Sequence, residues 1–173
     1  MYEIGSYVVY RSEGVCKISD IREESFGAIG AKELYYILVP QSNEQSTLFV
    51  PVNNEKLSSM IYRLLSADEI NQLCAELSGK RMEWRSDIRT RNSYFRDILA
   101  VGDRVELILL ANTVNDHICS MIKAGRKPGF TDINALTRAK KMLYEEFRVT
   151  TDIRSYEEIM PLLFGELQLK DKE

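Results

Sequence analysis

The sequence predicts an α+β protein of two domains, a small antiparallel β-barrel followed by an all-α helical bundle of four to five helices. Three features predict it. The first third of the chain holds short runs of β-branched and aromatic residues broken by turn formers. From Ser66 onward, apolar residues recur at helical spacing behind capping residues. The change of grain falls at one place, near 53–66, which divides the chain into domains 1–60 and 61–173. Within the second, 149–173 is an additional C-terminal segment of unassigned role.

The strands are read first. YVVY (7–10), GVCKI (14–18), ELYYILV (33–39) and TLFVPV (47–52) have the length and composition of half-buried strands. Gly14, the pair Gly27 and Gly30, and the PQSNEQS stretch (40–46) supply the turns. Strands so short and so closely joined leave no room for helical crossovers. They fit an antiparallel barrel of about five strands, in which closure protects most of the edges.

The helices follow. Ser66-Ala-Asp-Glu69 has the form of a capping box, and Ile70, Leu73, Cys74 and Leu77 make the apolar stripe behind it, closed by Ser78-Gly79. A second helix is predicted over 84–100. Asp103 with Glu106 caps a third, apolar at Val105, Leu109, Val114, Ile118 and Ile122 and stopped at Gly125. Thr131 is the expected cap of a fourth, with Ile133, Leu136, Ala139, Leu143 and Phe147 on one face. A short last helix is expected around 152–164, limited by Pro161.

Composition bounds the function. The 173 residues carry a net charge of −3, with 45% hydrophobic and 28% charged side chains, the balance of a globular protein. No apolar run approaches the roughly 20 residues that cross a bilayer, so no membrane role is expected. MYEIGSYVVYRSEG lacks a basic segment followed by an apolar one, so no secretory signal is expected. Cys16, Cys74 and Cys119 are scattered, which disfavours disulfides and zinc, fits a cytoplasmic location, and suits three packed small hydrophobes. His117 is the sole histidine and has no partner by motif, so a surface or locally hydrogen-bonded role is expected. The pairs Glu145-Glu146 and Glu157-Glu158 read as solvated surface. There is no phosphate loop, nucleophile elbow or metal-spaced cluster. We therefore expect no enzyme, no cofactor, no metal and no small-molecule substrate.

One segment is basic. Residues 81–148 carry 13 basic and 9 acidic side chains, a net of +4, while the rest of the chain is acidic. That segment opens with RMEWRSDIRTRNSYFRDIL, which holds the only tryptophan, Trp84. On a helix of about 100° per residue, Arg81, Arg85, Arg89 and Arg96 form one stripe about 80° wide. Trp84, Ile88 and Phe95 lie beside it. Two readings follow. Either Trp84 packs inward with Ile88 and Phe95 beneath solvated arginines, or it projects at the first turn beside Arg85 and Arg89 and wedges against an unstacked base.

G-x-x-V-V-Y-x-x-x-G-V-x-x-I (Gly5 to Ile18), YYIL (35–38) and FVPV (49–52) resemble the N-terminal half of the CarD/CdnL family of bacterial RNA-polymerase-binding transcription regulators. The resemblance continues through W-x(4)-R (Trp84, Arg89), L-x-x-G-D (Leu99 to Asp103) and L-x-x-A-x-x-x-L-x-x-E (Leu136 to Glu146), covering 1–148. It implies that the barrel is Tudor-like (SH3-like) and binds the β subunit of RNA polymerase, with Phe26, Thr47 and Phe49 as candidate contacts. It implies that the helical domain meets promoter DNA at the upstream edge of the melted bubble. There Trp84 matches a wedge residue in the distorted minor groove and Arg89 a phosphate contact, with Arg85, Arg81 and Lys140 as further candidates. The chain departs from the family in two places. Ser86 and Asp87 follow Arg85 where basic side chains can stand, and Phe49 takes a place that can hold arginine, with Glu23-Glu24 in a turn that is basic in some relatives. Docking by strand pairing and apolar contact accommodates the second departure.

The expected function is stabilisation of the open promoter complex by a monomer. Two other classes are compatible with the residues: a protein–protein adaptor that never meets DNA, and an RNA- or ribosome-associated factor. Salt-dependent binding to forked DNA separates the first, and preference for RNA forks identifies the second.

Overall fold

The computed structural model describes residues 1–10, 13–26 and 32–172. The expected turn at Gly27 and Gly30 lies outside them. The chain divides into two compact units, Met1–Leu64 and Leu65–Glu173.

The first unit is a five-stranded antiparallel sheet. β1 (Tyr7–Tyr10), β2 (Val15–Glu24), β3 (Glu33–Pro40), β4 (Leu48–Pro51) and β5 (Ile61–Arg63) are ordered β4-β3-β2-β1-β5, with a single-turn helix α1 (Glu55–Ser58) between β4 and β5. No ladder joins β4 to β5 among the described residues. Alternation puts one side chain in two on the inner face. Val8, Cys16, Ile18, Tyr36, Leu38, Val50 and Ile61, drawn from all five strands, form one core. Tyr2 lies across it: its hydroxyl donates to the Ile61 carbonyl at 3.1 Å, and its backbone N–H donates to the Tyr36 hydroxyl at 3.3 Å. β2 is longer than GVCKI because Asp20–Glu24 continue to pair with β3 after a register shift between Ile18 and Asp20. β5 was not among the four predicted strands. Its three residues pair with β1, so this unit extends past residue 60 to Leu64.

The second unit holds α2 (Ala67–Leu77), α3 (Ile88–Val101), α4 (Arg104–Lys123), α5 (Phe130–Phe147) and α6 (Ile159–Leu163), the last preceded by a 3-10 turn at Tyr156–Glu158. The capping box forms as expected: Ser66 Oγ accepts from Glu69 N–H at 3.3 Å and Glu69 accepts from Ser66 N–H at 3.0 Å. Asp103 caps α4 by accepting from Glu106 N–H at 3.0 Å. The two-residue turn between α3 and α4 works because Gly102 takes a left-handed φ of 72°, costly for any side chain, and donates to Ile98 O at 2.8 Å. That is the physical content of L-x-x-G-D.

Several expectations are corrected. The second helix starts at Ile88, with Asp87 as its cap, so 84–87 are not helical. α5 starts at Phe130 behind Gly129, and Thr131 sits inside its first turn. α4 does not bury one stripe. It packs against α2, α3, α5 and α6, so its middle is enclosed from Leu107 to Val114, while Val105 and Ile122 are exposed. Ile133 is likewise exposed on α5. Cys16 and Cys74 are buried, and burial pushes their thiols up to about 12, but Cys119 is exposed.

Glu146 is buried, not solvated. Arg104 Nη2 approaches Glu146 Oε1 at 2.9 Å as an ion pair, at an angle outside a hydrogen bond. Burial outweighs the attraction of Arg104 and pushes the Glu146 carboxyl up to about 7.

The segment 149–173 belongs to the bundle. Ile153, Ile159, Leu162, Leu163 and Leu169 join its core. Asn71 holds Leu169 by two hydrogen bonds of 2.9 Å, Asp171 accepts from Ala67 N–H at 2.8 Å, and Thr151 bridges to Asp171. The end of the chain thus secures the first turn of α2.

Candidate functional site

The stretch between α2 and α3 is strapped onto α4. Asn112, fully buried, donates to Leu77 O at 3.0 Å, and Thr113 Oγ1 accepts from Met82 N–H at 3.0 Å. Arg81 pairs with Asp116 at 2.6 Å and also donates to the carbonyls of Ser78 and Lys80 at 2.8 Å. These bonds hold an extended segment that could not otherwise keep a fixed course.

Trp84 stands on that segment, half-buried against the helical core. The His117 ring stacks on the indole with centroids 3.8 Å apart and planes 21° from parallel. The Arg91 guanidinium lies over the indole at 4.5 Å. The indole is thus packed against both an imidazole and a guanidinium. Phe95 abuts it at 6.3 Å. Trp84 is therefore only partly open to solvent.

Arg91 is the fastener of this arrangement. It is 6% exposed, and its guanidinium meets both oxygens of Asp132, itself 3% exposed, at 3.1 and 3.4 Å. It also donates to Arg85 O at 2.8 Å and Ser86 O at 3.3 Å. One side chain therefore joins α3, α5 and the segment carrying Trp84. Burial also lowers the His117 pKa; Asp132 opposes that shift, while Arg91 and Arg126 add to it. Sequence reasoning singled out neither Arg91 nor Asp132. The signal was present: Arg91 stands four, seven and eight residues before the buried Phe95, Ile98 and Leu99, and Asp132 three and seven before the buried Ala135 and Ala139. A charge on a core stripe implies a partner.

The remaining candidates are placed as follows. Arg85 is exposed and lies 3.7 Å above the Tyr94 ring. Arg89 is exposed in the first turn of α3, where Asp87 caps with 2.7 Å from Thr90 N–H. Arg81, Arg85 and Arg89 do not form a helical stripe, since only Arg89 is on the helix. Ile88, expected to pack inward, is 60% exposed. Lys140 lies on α5, tied to Glu157 at 2.6 Å.

On the sheet unit, Phe26, Tyr35 and Phe49 form an aromatic cluster, with Phe26 edge-on to each of the other two at 5.2 Å. Phe26 is 57% and Phe49 39% exposed. Phe49 is on β4, an edge strand that pairs with β3 alone among the described strands, and the exposed Thr47 immediately precedes it. Glu24 pairs with Arg22 at 2.6 Å, and Asp20 with the same guanidinium at 3.0 Å, so one cation is shared by two carboxylates and this part of β2 stays acidic. Among the described residues, no group of three or more His, Cys, Asp or Glu could hold a metal ion, and no helix is long and apolar enough to cross a membrane.

A family model described as the CarD-like/TRCF RID domain matches residues 2–65. The match spans the sheet unit and ends as the helical unit begins. No match to the chain was found among curated proteins.

Proposed function

We propose, from the match of residues 2–65 to the CarD-like/TRCF RID domain, that this chain is an RNA-polymerase-interacting transcription factor of the CarD-like type, which docks on the polymerase β subunit and steadies melted promoter DNA through its helical unit. The family match over the whole sheet unit carries this reading. The docking surface is the open edge of β4 with Phe49 and Phe26 beside it. An edge strand offers unpaired backbone groups to a partner strand, and exposed aromatics add apolar contact where relatives can use charge.

On the helical unit, Trp84 is the wedge. A wedge needs rigidity and an apolar edge more than a free ring face, since it separates bases by occupying the step between them. His117 and Arg91 clamp the indole and supply that rigidity. Arg85 and Arg89 follow Trp84 within five residues and are exposed, so they hold flanking phosphates. Arg81 and Lys140, each in an ion pair, contribute less. The protein performs no catalysis in this role and requires no cofactor.

The test is polymerase capture followed by open-complex decay. The full chain should retain the polymerase, Phe49→Asp should lose that retention, and Trp84→Ala should bind polymerase normally while the open complex decays faster. Equal decay with Trp84→Ala and wild type would remove the wedge; capture unaffected by Phe49→Asp would remove the β4 docking edge.

A further inference from the structure

The loop between α4 and α5, Gly125 to Gly129, leads into Phe130, a large apolar residue that is 82% exposed. Lys123, Arg126 and Lys127 are exposed beside it in sequence, with no acidic residue between Lys123 and Thr131. The loop is not slack. Gly125, at a left-handed φ of 69°, donates to Ile122 O at 2.9 Å, and Arg126 N–H donates to Met121 O at 2.9 Å. This pair of bonds is a Schellman closure, which fixes the direction in which the chain leaves α4. Pro128 restricts φ at the centre.

The far end is tied to the site already described. A Cβ on Gly129 would come within 3.3 Å of the Asp132 carboxylate. Asp132 holds Arg91, and Arg91 lies over Trp84. From the other side, Arg126 is near enough to His117 to act on its charge. The loop and the indole therefore share one cluster. Its two acids, Asp132 and Asp116, are already matched by Arg91 and Arg81, so the loop cations are left to face solvent.

We propose that this loop is a second nucleic-acid contact beside Trp84, with Arg126 and Lys127 on backbone phosphates of forked DNA and Phe130 stacked on an unpaired base. The inference rests on the DNA-contacting reading above. Cations alone would suit any polyanion, and an exposed aromatic alone would suit an apolar protein surface. Their combination on one constrained loop suits single-stranded nucleic acid, where charge follows the backbone and rings accept bases. The Trp84 ring is already stacked by His117 and overlain by Arg91, whereas Phe130 is 82% exposed.

The test uses the full chain and a fluorescently labelled forked DNA duplex, with affinity read by anisotropy across a salt series. Phe130→Ala should weaken binding about five- to a hundredfold with little change in salt slope. Arg126→Ala with Lys127→Ala should lower the log–log slope by about 1.4 on the single-stranded arm and about 1.8 if the contacted phosphates are in the duplex. All three residues are exposed, so the variants should keep the wild-type thermal midpoint. If Trp84→Ala and Arg89→Ala weaken binding but the loop variants do not, the loop inference falls and the wider reading stands. If the loop variants weaken binding and Trp84→Ala does not, the loop stands and the wedge falls. Absence of binding to the fork, or binding only to an RNA fork of the same sequence, overturns both.

Discussion

Trp84 is neither a core residue nor a free probe, and its substitution should show both halves of that state. A half-buried indole contributes less than a fully packed one. Trp84→Ala should therefore cost about 1–2 kcal/mol of stability, below the ~3–5 kcal/mol of a packed aromatic. A chemical-denaturation loss above that range would place the side chain in the core after all. The same residue reports on His117. The His117 pKa is lowered by burial, so the fold disfavours its protonated form; the resulting stability is present above the ordinary pKa of 6.5 and is lost as pH falls through the depressed value. An imidazolium stacked on indole also quenches it. Trp84 fluorescence should thus drop below pH 6.5, and His117→Gln should flatten the curve. Glu146 behaves in the opposite sense. Its folded pKa of about 7 lies above the ordinary 4.5, so its contribution is present below about 4.5 and lost as pH rises through about 7. Glu146→Gln should stabilise the protein at pH 8 relative to wild type and do so less at pH 5, as read from thermal midpoints.

At the scale of elements, the Arg91–Asp132 pair decides how the segment before α3 is held. Each side chain is buried, so removing one leaves the other charged, desolvated and alone. Arg91→Ala or Asp132→Ala should cost about 3–5 kcal/mol. The double variant Arg91→Met with Asp132→Leu should recover much of that stability. It should also release the Arg85 and Ser86 carbonyls, and Trp84 fluorescence should then become more accessible to a soluble quencher. A double variant as unstable as the worse single one would mean that the pair is needed as a charge pair.

Over the whole molecule, the C-terminal segment changes what counts as the helical domain. It places Ile153, Ile159, Leu162, Leu163 and Leu169 in the core. Five such side chains at about 1.5–3 kcal/mol each amount to the entire net stability of an ordinary domain. Truncation after Arg148 should therefore unfold the helical unit. The sheet unit has its own core and should keep its circular-dichroism signature and the polymerase binding proposed for it. Cooperative helical melting in the truncated chain would show that the tail is an accessory.

Much of this protein is legible in the sequence because it depends on neighbours along the chain. The strands YVVY and ELYYILV, the capping box at Ser66 and Glu69, the Asp103 cap and the Gly102 turn are local devices, set by alternation, side-chain reach and backbone sterics. Apolar stripes named the core of α2 and α5 for the same reason. The exceptions arise where a distant group intervenes. The Trp84 segment is extended rather than helical because Asn112, Thr113 and Asp116 of α4 bind it and Asp87 caps the helix behind it. Arg91 and Asp132 are inside because they meet each other across 41 residues. β5 is a strand because β1 offers it an edge, and the tail is core because α2 offers it Asn71 and the Ala67 N–H. Periodicity reports which face of an element is apolar. Only the tertiary structure determines which charge finds a partner, how many sides of α4 are covered, and therefore that the single tryptophan packs against an imidazole and a guanidinium.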